Sequence, residues 1–106
     1  HQRCGRGWKK YLRSLTKRFR DGLVKLGYET IISDHPIVPL LVRDTWRTSD
    51  IVKYLIENGV LATGLNYPVV PKGDETIRFQ INADHTPEDI DYVLSVLERY
   101  KRERWN

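Results

Sequence analysis

Proline placement limits what this chain can fold into more than any other feature of its sequence. A proline lacks the backbone N–H that a strand ladder needs. Pro68 and Pro71 therefore exclude a central strand over Tyr67–Gly73, which reads as an extended, semi-rigid connection. Pro36 and Pro39 fall in the β-branched and leucine-rich stretch Ile31–Val42. A strand is expected there near Val38–Arg43, with pairing limited on at least one side. The fifth proline, Pro87, has the opposite effect. In Thr86-Pro87-Glu88-Asp89 it takes the first helical position behind a hydroxyl N-cap, with acids in the first turn, so it starts a helix.

Between these markers the apolar periodicities place the other elements. Trp8, Tyr11, Leu12, Leu15, Phe19, Leu23 and Leu26 recur at steps of three and four, a helical face that Gly27 closes. Lys9, Lys10, Arg13, Lys17 and Arg20 fall on its remaining surface. Residues 1–7 show no periodicity and read as a tail, possible foreign sequence ahead of a domain over 8–106. Thr48 or Ser49 is expected to cap a second helix with Ile51, Val52, Leu55 and Ile56 inside, closed by Asn58-Gly59. Val60–Asn66 reads as a strand weakened by Gly64, and Glu75–Asn82 as a strand with Ile77, Phe79 and Ile81 on one face. The helix after Pro87 buries Ile90, Val93, Leu94, Leu97 and Tyr100. The order α-β-α-β-β-α predicts an α+β two-layer sandwich: an antiparallel or mixed sheet of about three strands with helices on one face. The face bearing Arg78 is left partly open for a partner or substrate.

Composition excludes several classes. With 106 residues, 40% hydrophobic and 30% charged, the chain is globular, and roughly two thirds of its unfolded surface can be buried in one core. No apolar run nears the roughly 20 residues of a membrane span. The lone Cys4 allows no internal disulfide, which fits a reducing, cytoplasmic setting. The chain holds no methionine and opens on His1, so it reads as a piece of a longer protein. Charge is uneven: residues 1–20 carry eight bases and no acid, while the remaining residues carry ten bases and fourteen acids. A basic helix interleaved with Trp8, Tyr11 and Phe19 could grip a nucleic acid, but those aromatics lie on the apolar face and are more simply core.

No complete catalytic set is present. Gly5-Arg6-Gly7 lacks the third glycine of a phosphate loop, and Cys4 sits in the tail, far from a base such as His35 or His85. His1, His35 and His85 have no metal-ligand spacing, and His85 beside a cap reads as a hydrogen-bonded structural residue. Asp74 with Glu75, and Glu88 with Asp89, occupy a turn and a helix start, where acids serve structure. Arg78 could equally pair with Asp74, Asp84 or another surface acid.

The segment YPVVPKGDETIRFQINADHT, Tyr67 to Thr86, resembles the C-terminal small domain of the α-oxoamine synthases. These are pyridoxal 5'-phosphate (PLP) enzymes of the aspartate-aminotransferase fold that condense an amino acid with an acyl-CoA. The likeness extends over residues 10–100 through "LGYET", "HPIVPLLV", "ENGV", "ATGLNYPVVPKG" and "ADHTPEDID" in family order. "YPVVPKG" is most similar to the glycine C-acetyltransferase branch, and "NYP" also resembles 5-aminolevulinate synthases. The resemblance implies that Arg78 binds the amino acid's carboxylate, a role that suits a permanently charged, two-pronged donor. Two departures stand out: Thr76 replaces a second arginine found in many relatives, and "NADH" replaces the commoner "SAAH". The lysine that bonds PLP, and the aspartate and histidine that hold its ring, belong to the family's large domain and have no counterpart here. Lys72 lies in the proline-bracketed connection and is expected to be solvated. The resemblance thus implies a homodimeric, cytoplasmic parent with a large PLP domain, and a fragment that is inactive alone, binds no membrane and no PLP covalently. A free-standing binding or regulatory module, or a basic nucleic-acid-binding domain, remain the alternatives.

Overall fold

The computed structural model describes residues 5–105. Its elements run α1 (Gly5–Lys25), β1 (Glu29–Thr30), β2 (Ile37–Leu41), α2 (Thr45–Glu57), β3 (Thr63–Leu65), β4 (Thr76–Gln80) and α3 (Pro87–Arg104). The four strands form one antiparallel sheet in the order β1-β2-β4-β3. The architecture is the expected α+β sandwich, with one short strand, β1, added to the three foreseen.

The central ladder sets Ile37 opposite Gln80, Val38 opposite Phe79, Pro39 opposite Arg78, Leu40 opposite Ile77 and Leu41 opposite Thr76. Val38, Leu40, Ile77 and Phe79 point into the core with Leu15, Phe19 and Leu23 of α1, Ile51 and Leu55 of α2, and Ile90, Val96 and Leu97 of α3. The Phe19 and Phe79 rings meet edge to face at 5.0 Å. Pro39 is tolerated between two neighbours because β1 stops at Thr30, which pairs with Leu40. The Pro39 carbonyl faces that side and accepts the Thr30 hydroxyl, so its N–H-less nitrogen lies just past the end of β1, where no ladder bond is required.

Helices α1 and α2 end in the same way. Gly27 (φ 87°) and Gly59 (φ 79°) take the left-handed conformation. Their N–H groups reach Val24 and Ile56, while the next residues, Tyr28 and Val60, donate to Leu23 and Leu55. This is the Schellman arrangement around a left-handed glycine, and it turns the chain sharply back under each helix. Helix α3 begins with the expected box: Thr86 accepts from the Asp89 N–H and Asp89 from the Thr86 N–H.

The remaining differences from expectation have local causes. Helix α1 starts at Gly5, three residues earlier than read, so only residues 1–4 of the expected tail, including His1 and Cys4, lie outside the described residues. Helix α2 is capped by Asp44, whose carboxylate accepts the Arg47 N–H at 2.7 Å, four residues before Thr48. Thr48 is instead buried in the first turn, its hydroxyl bonded back to the Asp44 carbonyl. On α2 it is Tyr54 that is buried, while Ile56 is 54% exposed. Tyr54 can sit inside because its hydroxyl is satisfied, accepting from Arg99 at 2.8 Å. Gly64 marks close approach: a Cβ there would meet Val52 of α2 at 3.0 Å. Arg20, expected on the surface, is 5% exposed.

Glu75 locks the start of β4. Its carboxylate accepts from the Thr45 hydroxyl at 2.8 Å and the Gly73 N–H at 3.0 Å, and its carbonyl accepts from the Val42 and Arg43 N–H groups. The Thr45 hydroxyl, with the backbone donors, holds this carboxyl below the usual carboxylate range.

Two outcomes follow from these anchors. Asp44→Ala should lower unfolding free energy by about 1 kcal/mol in urea titration, the usual cost of losing an N-cap. A depressed carboxyl contributes stability that is complete above its unfolded value, near ~4.3 for Glu, and is lost as pH falls through the lower folded value. Wild type should therefore lose more stability than Glu75→Gln between about pH 5 and pH 3, as read from denaturation midpoints across that range.

Candidate functional site

The sheet face turned away from the helices carries Ile37, Pro39 and Leu41 on β2, Thr76, Arg78 and Gln80 on β4, and Thr63 and Leu65 on β3. Strand alternation puts them there, because their neighbours Val38, Leu40, Ile77 and Phe79 are taken by the core. Arg78 stands in the middle of this face, in a cross-strand row with Pro39 on one side and Thr63 on the other. Neither flanking residue carries a charge. Leu41 and Leu65 lie one row away, opposite Thr76. The exposed side chains of Tyr67 and Val69, in the connection that leaves β3, continue the apolar character of this end.

Arg78 is exposed, and its guanidinium forms no hydrogen bond or ion pair with any described residue. Pairing with Asp74 or Asp84, the competing reading, is therefore not what the structure shows. The acid on the neighbouring strand edge, Glu29, is already engaged by Arg43 through two bonds of 3.1 and 2.7 Å. That fork holds the Glu29 carboxyl below its ordinary range. The result is a permanently charged, two-pronged donor between two uncharged neighbours, Pro39 and Thr63, able to receive a planar carboxylate bidentately.

The other residues singled out in the sequence are not gathered around Arg78. His35 accepts the Ile37 N–H and His85 the Asn82 N–H, each through Nδ1, so both imidazoles brace loops. Tyr11 also donates to the His85 carbonyl at 2.8 Å. No cluster of His, Cys, Asp and Glu suited to a metal occurs among the described residues. Lys72 is exposed, its Nζ 5.3 Å from the Tyr67 ring centre, and none of the strands bears a lysine. The open face thus carries one unpaired guanidinium among the described residues, and no strand lysine beside it.

Two bases of the first helix are engaged within the domain, and others, Arg13 and Arg20 among them, have no partner among the described residues. Phe19 is core, Lys17 pairs with Asp21 at 2.6 Å, and Arg18 forks onto Asp91 with two bonds of 2.8 Å. Of the three aromatics on α1, Phe19 is inside the core, Tyr11 packs against it and Trp8 is half-buried. Periodicity also missed a cluster at the far end of α3. There Arg47 lies over Trp46 and Trp105, at 5.3 and 4.8 Å, and bonds the Arg104 carbonyl at 2.9 Å. The Tyr100 hydroxyl donates to Asp50 at 2.7 Å. This network ties α2 to α3. Burial pushes the nearby Tyr28 phenol well above its ordinary value, and its hydroxyl donates to the Leu97 carbonyl.

With this geometry in place, comparison with known proteins is informative. A family model described as aminotransferase class I and II matches residues 2–97. The 8-amino-7-oxononanoate synthase of Thermosipho melanesiensis is 40% identical over 83 residues, 78% of this chain and 21% of that protein. The mitochondrial 2-amino-3-ketobutyrate coenzyme A ligase of Mus musculus is 41% identical over 76 residues, 72% of this chain and 18% of that protein. The chain spans about a fifth of the length of these relatives. Among solved structures, a Sphingomonas wittichii serine palmitoyltransferase superposes with a TM-score of 0.84 at 23% identity, covering 91% of this chain and 25% of that one. An SPT structure with PLP as internal aldimine gives 0.85 at 24%, covering 92% and 25%. These two likenesses speak for the fold, the small domain of the aminotransferase-like architecture. With the family model spanning most of its length, this chain belongs to the aminotransferase class I and II family, as a fragment of its PLP-dependent α-oxoamine synthase branch.

Proposed function

We propose that residues 8–106 are the C-terminal small domain of an enzyme that condenses a glycine-like amino acid with an acyl-CoA, and that Arg78 holds the amino acid's carboxylate. The supporting observation is the unpartnered guanidinium in the Pro39–Arg78–Thr63 row of the open face. Two parallel N–H donors fix both the position and the plane of a carboxylate, which restricts rotation of the substrate about its α-carbon. The uncharged neighbours leave no competing anion and, once the face is covered, strengthen the pair by excluding water. PLP, held by the large domain of such an enzyme, supplies the electron sink for the carbanion chemistry. The large domain covering this face, a homodimeric assembly and a cytoplasmic location belong to the same proposal. No described helix is long and apolar enough to cross a membrane.

Losing a charge-assisted bond of about 1.5–3 kcal/mol should weaken use of the amino acid by roughly 10- to 150-fold in Arg78→Ala of the complete enzyme. Arg78→Lys should recover only part, because a point charge does not reproduce the fork. The KM for acyl-CoA should change much less, and the melting temperature of the 106-residue chain should stay level in both variants. An unfolded Arg78→Ala chain together with an unchanged amino-acid KM would make the residue structural.

The chain alone should not bond PLP at a defined lysine. Borohydride treatment followed by peptide mapping is the check, and one specifically labelled lysine would refute the assignment of the cofactor to another domain.

A further inference from the structure

A groove of about 470 Å³ lies between α1 and the loop that follows β1, away from Arg78 and the open face. Its α1 wall presents Arg13, Lys17 and Arg20, spaced so that they share one helical face. Arg20 is the unusual member. It is 5% exposed, and its Nε and Nη2 are buried with no hydrogen-bond partner. No described residue forms an ion pair or hydrogen bond with this guanidinium at all. A buried cation without a partner is strongly disfavoured, and an anion reaching Arg20 from the groove would offset that cost.

The rest of the groove is arranged accordingly. Arg13 is exposed and has no partner among the described residues. Lys17 is bonded to Asp21 at 2.6 Å, which neutralises that carboxylate and leaves further ammonium N–H groups. From the facing loop, Ser33 accepts the His35 N–H, so its own hydroxyl proton is free to donate. Ser14 donates to the Tyr11 carbonyl and offers no such proton. The remaining acid on the walls, Asp34, is exposed and is not bonded to Arg20.

We propose that this groove is a binding site for a phosphate-class oxyanion, anchored by Arg20 and completed by Arg13 and the Ser33 hydroxyl. Two guanidinium groups and a hydroxyl converge better on a tetrahedral dianion than on a single carboxylate. Inorganic phosphate and the phosphate of a small organic monoester share this chemistry, and the groove has room for either.

The test is an NMR titration of the 106-residue chain with inorganic phosphate and, separately, glycerol 3-phosphate, following the Arg20 Nε–H and the Ser33 and Asp34 amides. Saturable shifts at these positions are expected, and tighter binding of the monoester would identify an organic ligand. Arg20→Lys should weaken binding about tenfold and Arg13→Gln about fivefold, whereas Asp34→Asn should tighten it about threefold. Should Arg20→Lys fail to fold, the exposed pair Arg13→Gln and Asp34→Asn decides the matter. Shifts spread evenly over Lys9, Lys10 and Lys25, unchanged in Arg13→Gln, would mean an adventitious ion only and overturn the proposal. So would an Arg20 resonance that responds to Asp34→Asn and not to phosphate, since the chain's own carboxylate would then fill the site.

Discussion

The ladder between β2 and β4 governs the rest of the molecule because it decides, residue by residue, what faces the helices. Val38 and Leu40 stand opposite Phe79 and Ile77, and these four meet the inward sides of all three helices. The side-chain period of a strand is two, so a slip of one residue would drive Arg78 into the core and turn Ile77 and Phe79 out to water. The position of Arg78 is thus protected by the burial of its neighbours and by the ladder, without any bond from its guanidinium to a described residue. An arginine held in this way can keep both prongs free for a ligand.

Around that ladder, short polar anchors fix the connections. Glu75 binds the turn before β4 to the first residue of α2 and to the chain leaving β2, so the strand carrying Arg78 starts from a defined place. Glycines 27 and 59 reverse the chain after α1 and α2 without leaving helix carbonyls unsatisfied. Membership of the α-oxoamine synthase branch agrees with this division of labour. This part of the chain contributes a sheet with Arg78 on its outer face and no lysine in any described strand. The relatives at 40% and 41% identity carry different names, so likeness over this stretch does not separate one acyl acceptor chemistry from another.

Much of the fold was legible because its signals are local. The Thr86-Pro87-Glu88-Asp89 start, the two glycine stops and the alternation of Ile77, Phe79 and Ile81 each depend on a few neighbouring residues. Strand β1 was not legible, since two residues carry no periodicity and pair only because β2 is already in place. The cap of α2 was misplaced for a related reason: Asp44, Thr48 and Ser49 are all competent caps, and which one serves depends on where Glu75 holds Thr45. Arg78 was legible as a charged residue at an outward strand position. Its lack of a partner was not, because Asp74, Asp84 and Glu29 are equally available on paper.

By itself the sequence determined the start of α3, the glycine stops of α1 and α2, the class of fold, and the strand face on which Arg78 lies, because caps, proline geometry and side-chain periodicity act over a few residues. Only the tertiary structure decided that Pro39 could sit in an inner strand, that Tyr54 and not Ile56 goes inside, and that Glu29 belongs to Arg43. It alone revealed that Arg20, one base among eight in the first twenty residues, is buried without a partner among the described residues. These outcomes depend on which groups from distant parts of the chain meet and compete for the same donors, acceptors and space. Local pattern carries no information about that competition.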